Sequence, residues 1–192
     1  MLDSAYTVFG LLGATICFIS VYFIWRISQR PWSTLFLISW LFFYNIFSTV
    51  DSIVWSGNDV SDSPDGEGYC DITSRVKTVF SIGVLGSTIC ICQFLVDTSD
   101  PTLRAPNRST SSRRRRNMVD VFFGLILPLV FVLLKFIVEP SRYLILGVLG
   151  CQGTFDGSWP AIPLFFVWPP IFTLVAFAQI GTFFTSSIEI DV

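Results

Sequence analysis

The sequence predicts an all-α protein, a polytopic membrane helix bundle of five transmembrane helices with its N-terminus outside the cell. Three observations predict this fold. Hydrophobic residues make up 52% of the 192 residues and charged residues only 14%, whereas about a quarter of an average soluble domain is charged. Five stretches reach the roughly 20 mainly apolar residues that an α-helix needs to cross a bilayer. The loops between these stretches alternate in charge along the chain.

The five stretches form one predicted membrane domain over residues 1–192. The first is uncharged between residues 5 and 25 and is followed by Arg26 and Arg30, whereas a cleaved signal peptide carries its basic residues before the apolar core. Pro31 suits the start of the second helix, where its missing N–H is not needed. The predicted helices are residues 5–25, 33–55, 69–96, 119–138 and 161–184, with a flexible cytosolic loop over residues 97–118.

The charges of the four loops predict the orientation. Two loops are basic and two are mainly acidic, and eight of the twelve basic residues fall on one side of the membrane. The basic loops carry Arg26, Arg30, Arg104, Arg108, Arg113, Arg114, Arg115 and Arg116, and the acidic loops carry Asp59, Asp62, Asp65, Glu67, Glu139 and Asp156 with a single Arg142. Basic loops stay in the cytosol, so the N-terminus is predicted outside. The run of four arginines either attracts anionic lipid or an acidic protein, or only fixes the topology.

The composition leaves few groups for catalysis. The chain has no histidine, which removes the commonest acid–base residue and most zinc and haem sites. It also lacks a glycine-rich phosphate loop and a serine-nucleophile elbow. We therefore predict that the protein is not an enzyme and has no cofactor, metal or nucleic-acid partner.

The five cysteines divide by their position in the predicted topology. Cys17, Cys90 and Cys92 fall inside helices and are predicted to be reduced and packed. Cys70 begins the third helix and Cys151 lies in the loop after the fourth, so both face an oxidising compartment. Two interpretations remain at this point, a Cys70–Cys151 disulfide or two free thiols.

Polar residues near the outer ends of the second and third helices are the candidate site. Asp71 and Arg75 are four residues apart and share a helix face, with Lys77 on roughly the opposite face and Asp51 one turn before Trp55. These charges are either a local salt bridge with a snorkelling lysine, or the floor of an outward-facing ligand cavity. Lys135, close to the outer end of the fourth helix, is predicted to snorkel.

Several segments resemble the fungal lipopeptide pheromone receptors of the a-factor type, which are class D G-protein-coupled receptors. The similar segments are Tyr44-Asn45, residues 52–58 (Ser-Ile-Val-Trp-Ser-Gly-Asn), residues 69–75 (Tyr-Cys-Asp-Ile-Thr-Ser-Arg), Pro128, Arg142-Tyr143, Gly150-Cys151 and Trp168-Pro169. Tyr69 stands where that family has tryptophan. The resemblance covers most of the chain and depends on the order and spacing of these segments together.

The resemblance implies a plasma-membrane receptor that binds a farnesylated peptide pheromone from a mating partner and activates a heterotrimeric G protein. The ligand cavity would then include Asp51, Trp55, Asp71, Arg75 and Lys77. The cytosolic G-protein or lipid face would include Arg26, Arg30, Arg113, Arg114, Arg115 and Arg116. Cys70 and Cys151 fall where such receptors join the third helix to the second outer loop.

The chain departs from the family in the number of helices, because receptors of this kind have seven. After the fifth predicted helix come Glu189 and Asp191 rather than basic residues. We therefore expect a form truncated after helix 5 that does not signal by itself. The alternatives are a transporter or channel component, against which the apolar deep positions argue, and a non-signalling partner of a full-length receptor.

Overall fold

The structure, a computed structural model, describes residues 2–26, 32–55, 66–99, 110–138, 143–146, 149–154, 159 and 161–190. Within these ranges the regular secondary structure is helical except for one short antiparallel pair of strands. The helices are α1 (Leu2–Arg26), α2 (Trp32–Val54), α3 (Tyr69–Ser99), α4 (Thr110–Val121), α5 (Leu127–Val138) and α6 (Trp168–Ile190). The strands β1 (Leu144–Ile145) and β2 (Cys151–Gln152) lie between α5 and α6.

The described helices form a polytopic membrane bundle. Four of them are long and apolar enough to cross a membrane, namely Ser4–Arg26, Trp32–Val54, Tyr69–Thr98 and Arg113–Lys135. A shorter apolar helix covers Trp168–Phe183. The prediction of a helical membrane bundle is confirmed, and the orientation of the chain stays a prediction.

The loop predicted over residues 97–118 differs most from the structure. Helix α3 continues to Ser99 and α4 begins at Thr110, so the four consecutive arginines are helical. Arginine is a good helix former, and a charged first turn can extend an apolar helix into the polar boundary of the membrane. Some residues in the predicted loops and site lie outside the described ranges: Arg30, Asp59, Asp62, Asp65, residues 100–109, Glu139, Arg142 and Asp156.

Two π-helical segments accompany the prolines of the later helices. Phe122–Ile126 joins α4 to α5 and is followed by Pro128, and Ile162–Phe166 contains Pro163 and precedes α6. Proline has no N–H for the helical ladder and its ring crowds the preceding turn, so the backbone changes its hydrogen-bond spacing there. Because α4, the first π-helical segment and α5 are continuous, they form a single membrane-spanning helix.

Helix α3 lies at the centre of the bundle. It packs against α2, α5 and α6, while α1 packs against α2. The buried core joins α3 to the later helices and comprises Val79, Ile82, Ile89, Phe131, Ala161, Phe165 and Phe172. The ring of Phe131 meets that of Phe165 edge-on, with centroids 5.7 Å apart. A polar site on α3 is therefore close to residues of several other helices.

Helix α1 approaches α2 closely because α1 has glycines at the contact. A Cβ atom on Gly10 would overlap Thr49, and one on Gly13 would overlap Asn45. The hydroxyl groups of Thr7 and Ser52 are 3.0 Å apart across the same interface. Small residues that allow close backbone approach are typical of helix contacts in membranes.

Candidate functional site

A disulfide closes one end of the bundle. It joins Cys70 in the first turn of α3 to Cys151 in β2, with Cα atoms 5.2 Å apart and 81 residues between them in sequence. Both cysteines are fully buried. The predicted pairing is thus present, while Cys17, Cys90 and Cys92 are free as predicted. The strand pair β1–β2 is thereby fixed over the start of α3.

Trp55 packs beneath this disulfide. Its side chain is 2% exposed, and its ring stacks on that of Tyr69 at a centroid distance of 6.1 Å. Gly66 has a φ of +63°, and a Cβ atom there would meet both the Cys70 sulfur and the Trp55 ring. The tryptophan therefore supports the disulfide from within the protein.

An ion pair joins α2 to α3 close to the disulfide and the strand pair, which together we call the cap. Lys77 Nζ lies 2.5 Å from Asp51 Oδ2, with the lysine side chain 7% exposed and the aspartate fully buried. The same ammonium group donates to the carbonyl oxygen of Leu149 at 3.1 Å. Gly150, with a φ of +64°, lies so close that a Cβ atom would overlap Asp51. Removing either charge would leave its partner buried without compensation, which is strongly destabilising.

Lys135 does not snorkel, so that prediction is wrong. Its side chain is fully buried, and Nζ donates to Thr78 Oγ1 at 2.8 Å and to the carbonyl oxygen of Ser74 at 3.4 Å. A Cβ atom on Gly153 would overlap its ammonium group. The lysine side chain can point inward because α3 provides hydrogen-bond acceptors for it, and because Gly153 has no side chain where the ammonium group lies.

A cavity of about 390 Å³ opens beside Lys77. Its polar side is formed by α3 and β2, and its apolar side by α3, the second π-helical segment and the start of α6. The residues that define the two sides are Lys77, Ser81 and Gln152, and Ile82, Phe166 and Pro169. Thr78 and Gly153, which contact Lys135, also line it. An amphipathic ligand could place a polar group and an apolar chain in one cavity of this kind.

The structure separates the five residues predicted for a ligand cavity. Lys77 lines the cavity, whereas Asp51 lies behind it as the partner of Lys77, and Trp55 lies under the disulfide. Asp71 and Arg75 are half-buried near the start of α3 and are not among the described lining residues. Their role in ligand contact stays a prediction.

Sequence reasoning missed every described lining residue except Lys77, and Ser81, Gln152 and Phe166 show why. Ser81 lies one helical turn after Lys77, so the helical period could have indicated it. Gln152 follows Cys151 directly, and its exposure to the cavity depends on the strand pair. Phe166 belongs to a π-helical segment, which shifts the faces of the helix and which the sequence pattern does not reveal.

The opposite end of the bundle carries a second polar cluster. Asp120 is 5% exposed and interacts with the backbone of Ser33, the thiol of Cys90 and the guanidinium of Arg116. Arg116 also lies over the ring of Phe94, 4.7 Å from its centroid. These contacts tie α4 to the start of α2 and to α3.

The remaining described arginines of the predicted cytosolic face are exposed. Arg113, Arg114 and Arg115 project from the first turns of α4. Arg26 donates to the hydroxyl group of Tyr22 at 3.0 Å. Arg30 lies outside the described residues. The described arginines of this face are therefore exposed, except Arg116, which packs against Phe94 and Asp120.

Apolar membrane helices around a central α3, with a cavity of about 390 Å³ beside a disulfide-linked strand pair, define a polytopic membrane protein. The family profile described as "STE3: Pheromone A receptor" matches residues 5–189. The chain belongs to this pheromone A receptor family, and the resemblance found in its sequence is confirmed. Members of the family are receptors rather than enzymes, which also confirms the prediction that the protein is not an enzyme.

Individual relatives come from several fungi. The chain is 32% identical over 168 residues to the pheromone M-factor receptor of Schizosaccharomyces pombe, covering 86% of the chain and 42% of that protein. It is 23% identical over 168 residues to the pheromone a factor receptor of Saccharomyces cerevisiae, covering 88% of the chain and 35% of that protein. For the pheromone B beta 1 receptor of Schizophyllum commune the identity is 29% over 144 residues, or 75% and 25% of the two chains. These matches thus span between a quarter and about two fifths of the relatives' length.

Proposed function

We propose that this chain takes part in detecting a lipidated peptide pheromone and in passing the signal to a heterotrimeric G protein, as a plasma-membrane receptor of the seven-helix plan. Membership of the pheromone A receptor family supports this function. The observation that carries the proposal at the level of residues is the cavity beside Lys77, which is polar on one side and apolar on the other.

The ligand is a farnesylated peptide whose two parts have different chemistry. In our proposal its isoprenoid chain lies against Phe166 and Pro169, and its peptide groups face Ser81, Gln152 and Lys77. The ion pair with Asp51 holds the lysine in place, so the polar side of the cavity is arranged before the ligand enters. Asp71 and Arg75, near the start of α3, are proposed to contact the part of the peptide outside the cavity.

The orientation belongs to the same proposal. The N-terminus and the disulfide-capped end face outward, where an oxidising environment keeps Cys70 and Cys151 joined. The arginine-rich end faces the cytosol, in agreement with the positive-inside rule. There Arg26, Arg30 and Arg113 are proposed to meet the G protein. Detection and signalling would then occupy opposite ends of α3.

A photoreactive farnesylated peptide tests ligand binding. Membranes containing the 192-residue chain are labelled, and the cross-linked residues are located by peptide mapping. We expect labelling near Ser81, Gln152 or Phe166 that excess unlabelled farnesylated peptide prevents and the same peptide without its lipid does not. Labelling that both competitors prevent equally, or that spreads over the lipid-facing surface, contradicts the proposal.

Two tryptophan substitutions provide a matched pair of variants. Ser81→Trp fills the cavity from α3, whereas Leu129→Trp adds the same ring to the half-exposed outer face of α5. We expect at least a tenfold loss of specific labelling in the first variant and less than twofold change in the second. Coupling is tested in cells that express a pheromone-responsive reporter with its G protein, by comparing the chain with a relative of full family length.

A further inference from the structure

A groove runs along the outside of the fourth membrane helix at the arginine-rich end. It is a shallow, open groove of about 730 Å³ and lies between the start of α2 and the segment from α4 into the π-helical turn. Two guanidinium groups, those of Arg114 and Arg115, stand at one end of it. The rest of its wall is mainly apolar and includes Trp32, Val119, Phe122 and Ile126.

The four consecutive arginines have different surroundings although they are adjacent in sequence. Arg114 and Arg115 line the groove. Arg116 points into the bundle, where it meets Phe94 and Asp120. Arg113 is exposed but does not line the described part of the groove. Fixing the topology requires only that the four charges lie on one side of the membrane. It does not require that two of them lie beside an apolar groove.

The length of the groove matches one leaflet of a bilayer. From Arg114 to Ile126 a helix rises about 18 Å, at about 1.5 Å per residue. Half of the hydrocarbon core is about 15 Å thick. The arginines therefore stand at headgroup depth when Ile126 reaches towards the middle of the membrane. A ligand with an anionic head and a long apolar chain fits these dimensions and this charge.

We propose that this groove binds one anionic phospholipid of the leaflet that the arginines face. Its phosphate and headgroup charges pair with the guanidinium groups of Arg114 and Arg115, which suit phosphate through bidentate hydrogen bonds. One acyl chain lies along Val119, Phe122 and Ile126, with the indole of Trp32 at the boundary between head and chain. The bound lipid contacts both α2 and α4. Asp120 of α4 also joins these two helices, through its contact with the backbone of Ser33.

Native mass spectrometry of the purified chain with 1-palmitoyl-2-oleoyl phosphatidylserine tests the charge contacts. We expect one retained lipid per chain at low lipid concentration, and about fivefold weaker retention in Arg114→Gln or Arg115→Gln, since each basic residue near an anionic lipid surface contributes about that factor. Arg113→Gln removes the same charge from the neighbouring position and should change retention less than twofold. Equal losses in Arg113→Gln and Arg114→Gln would mean diffuse attraction and would overturn the proposal.

The chain contact is tested independently by fluorescence quenching. The chain is reconstituted with phosphatidylserine that carries bromine on one acyl chain, and quenching is compared between the unsubstituted chain and Trp32→Phe. We expect a component of quenching that disappears in Trp32→Phe and weakens in Arg114→Gln. Phosphatidylcholine with the same brominated chain should not produce that component at equal concentration. If it does, the groove accepts any lipid and the proposed selectivity is wrong.

Discussion

The indole N–H of Trp40 on α2 donates to the carbonyl oxygen of Gly124 at 2.8 Å. Gly124 lies four residues before Pro128, and proline has no N–H, so that carbonyl lacks the donor that an α-helix would provide. The tryptophan supplies a donor from another helix. Gly83 on α3 makes room for it, because a Cβ atom there would overlap the indole ring. Three helices therefore meet at the proline-distorted turn.

We predict that Trp40→Phe lowers the free energy of unfolding by about 1–3 kcal/mol, because it keeps most of the ring and leaves a buried carbonyl without this donor. Thermal unfolding in detergent micelles measures the change. Pro128→Ala restores a backbone N–H, so Trp40→Phe should cost clearly less in that background. Trp32→Phe, at a half-exposed ring, serves as the control. The same cost in both backgrounds would refute the link between Trp40 and the proline.

The membrane helices could be predicted from the sequence because their signals are local. Apolar stretches of sufficient length predicted the bundle, and the placement of Cys70 and Cys151 on one side of the membrane favoured their disulfide. The start of α4 was missed because a run of four arginines resembles a solvated loop until it is seen as the first turns of a helix. Local composition thus predicted the elements better than their boundaries.

The site was harder to predict, since it depends on how neighbouring helices are rotated about their axes. Asp51 and Lys77 are 26 residues apart and on different helices, so no spacing rule pairs them. Lys135 turns inward only because Thr78 and Gly153 face it from two other elements. Near a membrane boundary, snorkelling and inward pairing are both open to a lysine, and the packing of its neighbours decides between them.

The buried ion pair makes a prediction about charge balance. Asp51→Asn or Lys77→Met alone should each cost about 3–5 kcal/mol, because each leaves one buried charge without its partner. The double variant should cost less than the sum of the two. Chemical or thermal unfolding in micelles measures this double-mutant cycle. Additive costs would show that the two residues act independently.

A half-buried carboxylate near the C-terminal end of α3, Asp97, controls for the loss of charge. Asp97 accepts a hydrogen bond from the side chain of Gln93 at 3.1 Å, and it is half-buried. Asparagine can still accept there, so Asp97→Asn should change stability by no more than about 0.5 kcal/mol. A loss as large as that of Asp51→Asn would mean that removing any acidic residue weakens the bundle.

The disulfide is predicted to make stability depend on the redox state of the sample. Closing a loop of this length contributes up to about 4.5 kcal/mol by restricting the unfolded chain. A reductant should therefore lower the unfolding temperature of the unsubstituted protein and leave that of the Cys70→Ser, Cys151→Ser double variant unchanged. Cys92→Ser, at a free and half-buried thiol, should respond as the unsubstituted protein does. If the reductant affects the double variant equally, the stabilisation has another source.

Gly150 is predicted to be intolerant of even one added carbon, for two separable reasons. Its φ of +64° disfavours any residue with a Cβ atom by about 1–2 kcal/mol, and the new atom would also overlap Asp51. Gly68 shares the first property, with a φ of +81°, but has open space around it. Gly150→Ala should thus cost more than Gly68→Ala in thermal unfolding, and the difference should shrink when Asp51 is also changed to Gly, because the nearest overlap is with the Asp51 Cβ atom.

Gly181 in α6 provides a third glycine for this comparison. Gly181 has open space around it and an ordinary helical backbone, so Gly181→Ala should stabilise the protein by about 0.5–1 kcal/mol through helix propensity alone. The three alanine variants, measured together, separate propensity at Gly181, backbone conformation at Gly68 and steric overlap at Gly150. Equal effects of Gly150→Ala and Gly68→Ala would show that the loop can move away from Asp51. The Asp51–Lys77 pair would then not depend on the close approach of Gly150.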